Sequence, residues 1–272
     1  MNSTHKFILP SGVEAEVKEL GGKHQRMLTE QKQKTFNEKL DDVLKDILIR
    51  VGSVKGKDID DNFILSLLSA DKKKCLVEAR QFSMDWEDAF DFTWEYENLK
   101  GANVKHELSC DLKEAFDVKP YQTLEQAKDG SISFKEAKYS EYADIVKRFE
   151  FTLPKSKKQL RVTLLDGKGE LKGATTKKAD RSSHTALLMR NPSFMEKKTK
   201  DIVPMQLTAG DLDDMNLKDL GFIRKIIKEL EGRVDTELMF EHPEAKFLPQ
   251  KEKNQVVDLL GEMAFFFPSE AI

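Results

Sequence analysis

Five histidines, two cysteines and 48 carboxylates are the groups of this 272-residue chain with the most chemistry to offer. His5, His24, His106, His184 and His242 form no two-histidine metal spacing, and none has a cysteine within ligand distance in sequence. Ser182, Ser183 and His184 are adjacent, whereas a catalytic triad is assembled in space from separate rigid elements. The stretch DGKGELKG at 166–173 is glycine-rich, but no Lys-Ser or Lys-Thr follows its second glycine as a phosphate loop requires. Asp211, Asp213 and Asp214 read as the acidic first turn of a helix. Cys75 lies in an apolar helical pattern and Cys110 ends a strand pattern, so both read as small core residues. Two thiols used in this way fit a reducing compartment. The sequence therefore nominates no catalytic residue, no cofactor-binding residue, no metal ligand and no cofactor.

What remains is the chemistry of contact. Phe265, Phe266 and Phe267 stand in a row before Pro268. Strand alternation puts Phe265 and Phe267 on one face and Phe266 on the other. One face can enter a core; the other needs a second surface, so at least one ring is expected to be exposed in the isolated chain. Pro10 and Pro154 sit at the tips of two similar hairpins and complete the set of partner-contact candidates.

These residues must be held by regular elements. Phe7, Leu9, Val13, Ala15 and Val17 alternate around Pro10-Ser11-Gly12, the mark of a hairpin. Phe36, Leu40, Val43, Leu44, Ile47, Leu48 and Val51 recur at helical spacing, with Thr35 or Asn37 as cap and Gly52 as a stop. A short apolar helix follows, then a break near Ser69-Ala70-Asp71. The next helix shows Leu76, Ala79, Phe82 or Ser83, and Trp86 on one face. Phe90, Phe92, Trp94 and Tyr96 then share one side of a strand that pairs with VKHELSCDL. Residues 119–145 have weak periodicity and a Lys-Asp-Gly turn, and read as a connector. Residues 166–184 are polar and aperiodic, and read as a mobile loop. NQVVDLLGEM at 254–263 reads as helical.

The hairpin occurs twice. Phe151 and Pro154 lie 144 positions beyond Phe7 and Pro10. After a three-residue insertion, Val13, Ala15 and Val17 match Leu160, Val162 and Leu164. At an offset of 144, Leu76, Ala79, Phe82, Ser83 and Trp86 match Leu220, Ile223, Ile226, Ile227 and Leu230, and the aromatic strand matches Val234 to Phe240. The expected fold is α+β in two similar halves, an internal duplication. Each half has an N-terminal hairpin, helices and a second antiparallel strand pair: a module at 1–118, a connector at 119–145 and a module at 146–272.

Composition narrows the partners. A net charge of −3 leaves no electrostatic footprint for nucleic acid or an anionic membrane. No run approaches 18 apolar residues, and the first residues do not read as a signal peptide. Hydrophobic residues at 39 % supply a core, and charged residues at 34 % imply a large solvated surface.

Four stretches carry a likeness to a known family: LPSGVEAEVKELGGKHQRML (9–28), ARQFSMDWEDAFDFTWEY (79–96), FTLPKSKKQLRVTLLDGKGE (151–170) and AFFFPSE (264–270). In order and spacing they resemble the baseplate hub and tail-assembly proteins of T-even-type contractile bacteriophages. The resemblance implies a non-enzymatic tail protein, acting by protein–protein contact within a multi-subunit assembly of other phage tail and baseplate proteins. It implies a place in the virion tail baseplate, and in host cytoplasm during assembly. The alternative it leaves open is a transient tail-assembly chaperone absent from the mature virion. Many relatives carry Cys-x-x-Cys pairs after the aromatic strand. Here those places read EYENLKG (95–101) and FEHPEAK (240–246), so no zinc is carried over.

Overall fold

The computed structural model describes residues 3–30, 33–85, 89–112, 116–175, 184–198, 201–249, 253–261 and 263–266. The chain is α+β, with antiparallel pairing throughout the described strands. β1 (Thr4–Ile8) and β2 (Glu14–Lys18) form the first hairpin, and Phe7 pairs with Ala15. Its alternating apolar residues Phe7, Leu9, Val13, Ala15 and Val17 are all buried. After α1 (Gly22–Glu30) comes α2 (Phe36–Ile47), started by a Thr35–Glu38 capping box.

Helical spacing continues through Val51, yet the chain leaves the helix at Ile47. Leu48–Val51 form β3, which pairs with β2. Gly52 is a turn residue rather than a helix stop: at φ +57° it directs the chain into β4 (Val54–Lys55). The sheet order is β1-β2-β3-β4. Helices α3 (Asp61–Ser66) and α4 (Ser69–Ser83) follow, then the ribbon β5 (Ala89–Glu97) and β6 (Asn103–Asp111). Trp86 lies outside the described residues.

The connector has structure of its own. β7 (Val118–Lys119) leads into the hairpin β8 (Gln122–Gln126) and β9 (Ile132–Glu136), which turns where Lys-Asp-Gly was noted. The second half opens with β10 (Arg148–Thr152) and β11 (Gln159–Thr163). Where a polar loop was expected, residues 167–175 form the helix α5 (Gly167–Thr175). Residues 176–183, the rest of that loop before His184, lie outside the description. Then come α6 (Thr185–Leu188), β12 (Ser193–Lys198), β13 (Asp201–Gln206), α7 (Ala209–Asp213) and α8 (Leu217–Leu230). β14 (Arg233–Val234) pairs with β7, and the ribbon β15 (Glu237–Glu241) and β16 (Asn254–Asp258) follows. Asn254–Asp258 is thus strand, not helix. Last is α9 (Met263–Phe266).

The second sheet runs β10-β11-β12-β13, the same order as the first. The element order of the halves also agrees (hairpin, two helices, strand pair, two helices, ribbon) except for β14, which has no counterpart between α4 and β5 among the described residues. The correspondence differs from the expected one in three places. Phe151 pairs with Leu160, as Phe7 does with Ala15, so β2 and β11 are offset by one inserted residue and not three. The insertion is in the tip: Leu9 N–H donates to the Val13 carbonyl, and Leu153 N–H to that of Lys158 (2.9 Å each). The helices start 148 apart, with Asp71 and Asp219 each at the third residue. The shift from 144 is one helical turn, which leaves an apolar stripe looking unchanged. Val234, expected in the aromatic-strand match, lies in β14, and Glu237–Glu241 is the ribbon strand.

Candidate functional site

Each hairpin tip is fastened to the start of a core helix by an aspartate. Asp219 is buried. Its Oδ1 accepts Lys155 N–H (2.8 Å), and its Oδ2 accepts Ser156 N–H (2.9 Å) and the Asn216 side-chain amide (2.8 Å). Burial works to raise its pKa. The hydrogen bonds from Lys155, Ser156 and Asn216 outweigh it and hold the carboxyl below the ordinary value.

Asp71 holds the first tip with one backbone donor, Ser11 N–H at 3.1 Å, because Gly12 N–H is turned back to the Leu9 carbonyl. Burial pushes its carboxyl up to about 7, against opposition from Ser11, Lys147 and Tyr142. Two buried tyrosines surround it. Tyr142 Oη accepts Leu68 N–H (2.5 Å) and Tyr121 Oη accepts Ala70 N–H (3.0 Å), so connector side chains cap α4 where Leu68 offers no side-chain cap. Burial raises both phenols well above their usual range, with Asp71 adding to it. Lys147 donates to the Ser66 carbonyl (2.6 Å) with its ammonium 4.8 Å from the Tyr142 ring centre. Burial lowers its pKa. Acid, phenols and amine are closed in around helix and hairpin ends. The cluster ties the first half to the connector and, through Lys147, to the start of the second half.

A second charge group, built on the buried Lys72 and two half-buried carboxylates, crosses between the halves. Lys72 of α4 lies 2.5 Å from Asp41 of α2 and 3.1 Å from Glu170 of α5. Burial disfavours the ammonium, but Glu170 and Asp41 more than offset it and raise its pKa; burial likewise raises Asp41. The group lines a cavity of about 210 Å³ beside Leu40, Leu76 and Leu260.

The contact candidates divide. Phe265 and Phe266 are on a helix, not a strand, and both rings are fully buried in their own chain. Fully buried Arg80 explains this: its Nε donates to the Phe265 carbonyl (2.9 Å) and its guanidinium lies 5.1 Å from that ring. Neither ring offers a surface, and Phe267 lies outside the described residues. Pro10 is also buried. Tyr121 N–H donates to its carbonyl (3.0 Å), Tyr139 N–H donates to that of Ser11 (3.3 Å), and a Cβ on Gly12 would meet the connector backbone at 3.0 Å. Pro154 is different. It is half-buried, and Lys155, Ser156, Lys157 and Lys158 beyond it are exposed. Lys158 Nζ lies 4.5 Å from the ring centre of Phe194, whose cross-strand partner is Met205 of β13. Residues 202–206 of β13 are exposed on both faces of the ribbon, Ile202 at 61 %. This surface was missed in the sequence, because SFMEKK and DIVPMQ show no clean alternation to mark strands.

The two ribbons stack face to face through Trp94, Tyr96, Phe240 and His242; Tyr96 and His242 ring centres are 4.6 Å apart. The outer face of β5–β6 is wholly polar, from Asp91 to Glu97 and Asn103 to Ser109. That of β15–β16 carries the cross-strand pair Met239 (68 % exposed) and Val256 (57 %) between Glu237 and Glu241.

Among the described residues no three His, Cys, Asp or Glu side chains come together as a metal site. No helix there is long and apolar enough to cross a membrane. His184 Nε2 meets Asp213 Oδ1 at 3.0 Å, while Ser182 and Ser183 lie outside the description. Comparison with protein-family models, curated proteins and solved structures finds no match for this chain.

Proposed function

We propose that the chain is a non-enzymatic component of a contractile phage tail, serving the baseplate or hub, or their assembly, through protein–protein contacts. The observation that carries this reading is β13, an outer strand with Ile202, Val203 and Met205 exposed on its two faces. Such a strand favours association with another chain. The sequence likeness supplies the kind of partner: other tail and baseplate proteins. The buried ionisable groups at Asp71, Lys72 and Asp219 are engaged in ties between elements, which agrees with a non-catalytic role. The repeated element order supports descent by internal duplication.

The test is to sediment tail intermediates and finished particles from infected cells and to quantify this chain in each fraction. It should appear with baseplate-containing intermediates. Presence there and loss from finished particles would identify the assembly-factor form. Finding all of it in the free pool refutes the reading.

A further inference from the structure

The two halves serve as controls for each other, and both unmatched surfaces fall in the second half. In the first half the hairpin tip is covered by the connector, and its fourth strand β4 is only two residues long. In the second half the tip Lys155–Lys158 is open, and the fourth strand β13 is six residues long and exposed. The ribbons differ likewise: polar outside in the first half, an apolar pair between glutamates in the second.

These two surfaces are unlike each other and complementary. One is apolar with a lysine-rich turn at its edge: Val203 and Met205, with Lys158 over Phe194 beside them, Lys155 and Lys157 on the same turn, and Glu196 paired with Val203 on that face. The other is acidic and apolar: Met239 and Val256 between Glu237 and Glu241. Val203 and Met205 are two apart on one strand face, the face of Phe194 on which Lys158 sits. An apolar centre with a charged rim of opposite sign is the usual anatomy of a specific interface.

We infer that a second copy of this chain docks its β15–β16 outer face on the Lys155–Lys158 tip and β13 of the first, in a head-to-tail contact. Because the two surfaces differ, the contact is heterologous. Each added copy presents a fresh surface, and the assembly grows until it closes as a ring or continues as a filament. The inference stands apart from the tail assignment, since it needs only copies of the chain itself.

The test uses sedimentation of the purified chain, with two variants at exposed positions: Val203→Glu on the lysine-edged surface and Met239→Lys on the acidic one. Circular dichroism and melting first confirm that each is folded. The wild type should associate with rising concentration and weaken as salt screens the rims. Each variant alone should lose affinity about tenfold or more, as loss of a central contact does. An equimolar mixture should form a 1:1 pair and nothing larger, because the M239K copy keeps its tip and the V203E copy keeps its ribbon face. A wild type that stays monomeric at about 100 μM, near the weak end of specific affinities, overturns the inference. So does association by either variant at wild-type strength, or a mixture that stays monomeric.

Discussion

Replacing Asp71 by Asn should flatten the pH dependence of folding. The carboxyl is fully buried, and its pKa in the folded chain is about 7 against an ordinary value near 3.8. A raised folded-state pKa means that the folded chain holds a proton which the unfolded chain has released. The contribution of this carboxyl to stability is therefore greatest in acid and falls as pH rises from about 4 through about 7. Integrating proton binding over the two pKa values, the loss attributable to this carboxyl between pH 5 and pH 8 is about 2.5 kcal/mol. Asparagine keeps the shape and an oxygen for Ser11 N–H, but it carries no charge at either pH. Urea unfolding of both proteins at pH 5, 6, 7 and 8 gives the comparison. The stability difference should move in favour of the variant by about 2 to 3 kcal/mol across that range. A difference constant to within about 0.5 kcal/mol would show that Asp71 does not titrate there and would refute the reasoning.

Asp219 should behave in the opposite sense. Its lowered pKa contributes stability above the ordinary carboxylate range, lost as acid protonates it. Asp219→Asn should cost about 1–3 kcal/mol at pH 7, with the gap to wild type closing below about pH 4 in acid unfolding curves. Phe266→Ser should destabilise the isolated chain by at least about 3 kcal/mol, because a fully buried ring is removed and a hydroxyl left in its place; a melting temperature equal to wild type would contradict the burial. Lys72→Met should also destabilise, by about 1–3 kcal/mol, since it leaves the partly exposed carboxylates of Asp41 and Glu170 without their cation. Thermal melts that are unchanged would show the ion group to be solvated.

The two hairpins were legible because Leu-Pro followed by polar residues and alternation is a local signal, and the tip bonds that make it are local too. The faces of α2, α4 and α8 and the alternation of β5 were legible for the same reason. β3 was not, since Leu48 and Val51 continue the helical spacing of α2; only the free edge of β2, formed by residues far back in sequence, turns them into a strand. The one-turn shift between α4 and α8 was hidden because both offsets superpose the same apolar stripe. What fixes it is the pair Asp71 and Asp219, two carboxylates among many in the sequence. The phenylalanine row misled for a different reason. Its burial depends on Arg80, a charged residue that sequence patterning alone would place at the surface.

Arg80 has a consequence for the order in which the chain is made. Its guanidinium finds the Phe265 carbonyl 185 positions later in the sequence. At about 5–20 residues per second of synthesis, the first half waits roughly 10–40 seconds for that partner. During that interval α4 carries an arginine with no acceptor from Phe265 to close over it, and the first half is a nascent chain with an open flank. Helix capping by Tyr121 and Tyr142 comes earlier, 51 and 74 positions after Ala70 and Leu68. Folding during synthesis should therefore close in stages: sheet and helices first, connector tyrosines next, aromatic tail last. Protease digestion of stalled chains should see α4 become resistant in two steps, after Tyr142 and again after Phe266. A single step at Tyr142 would mean that the tail merely rests on a half already complete.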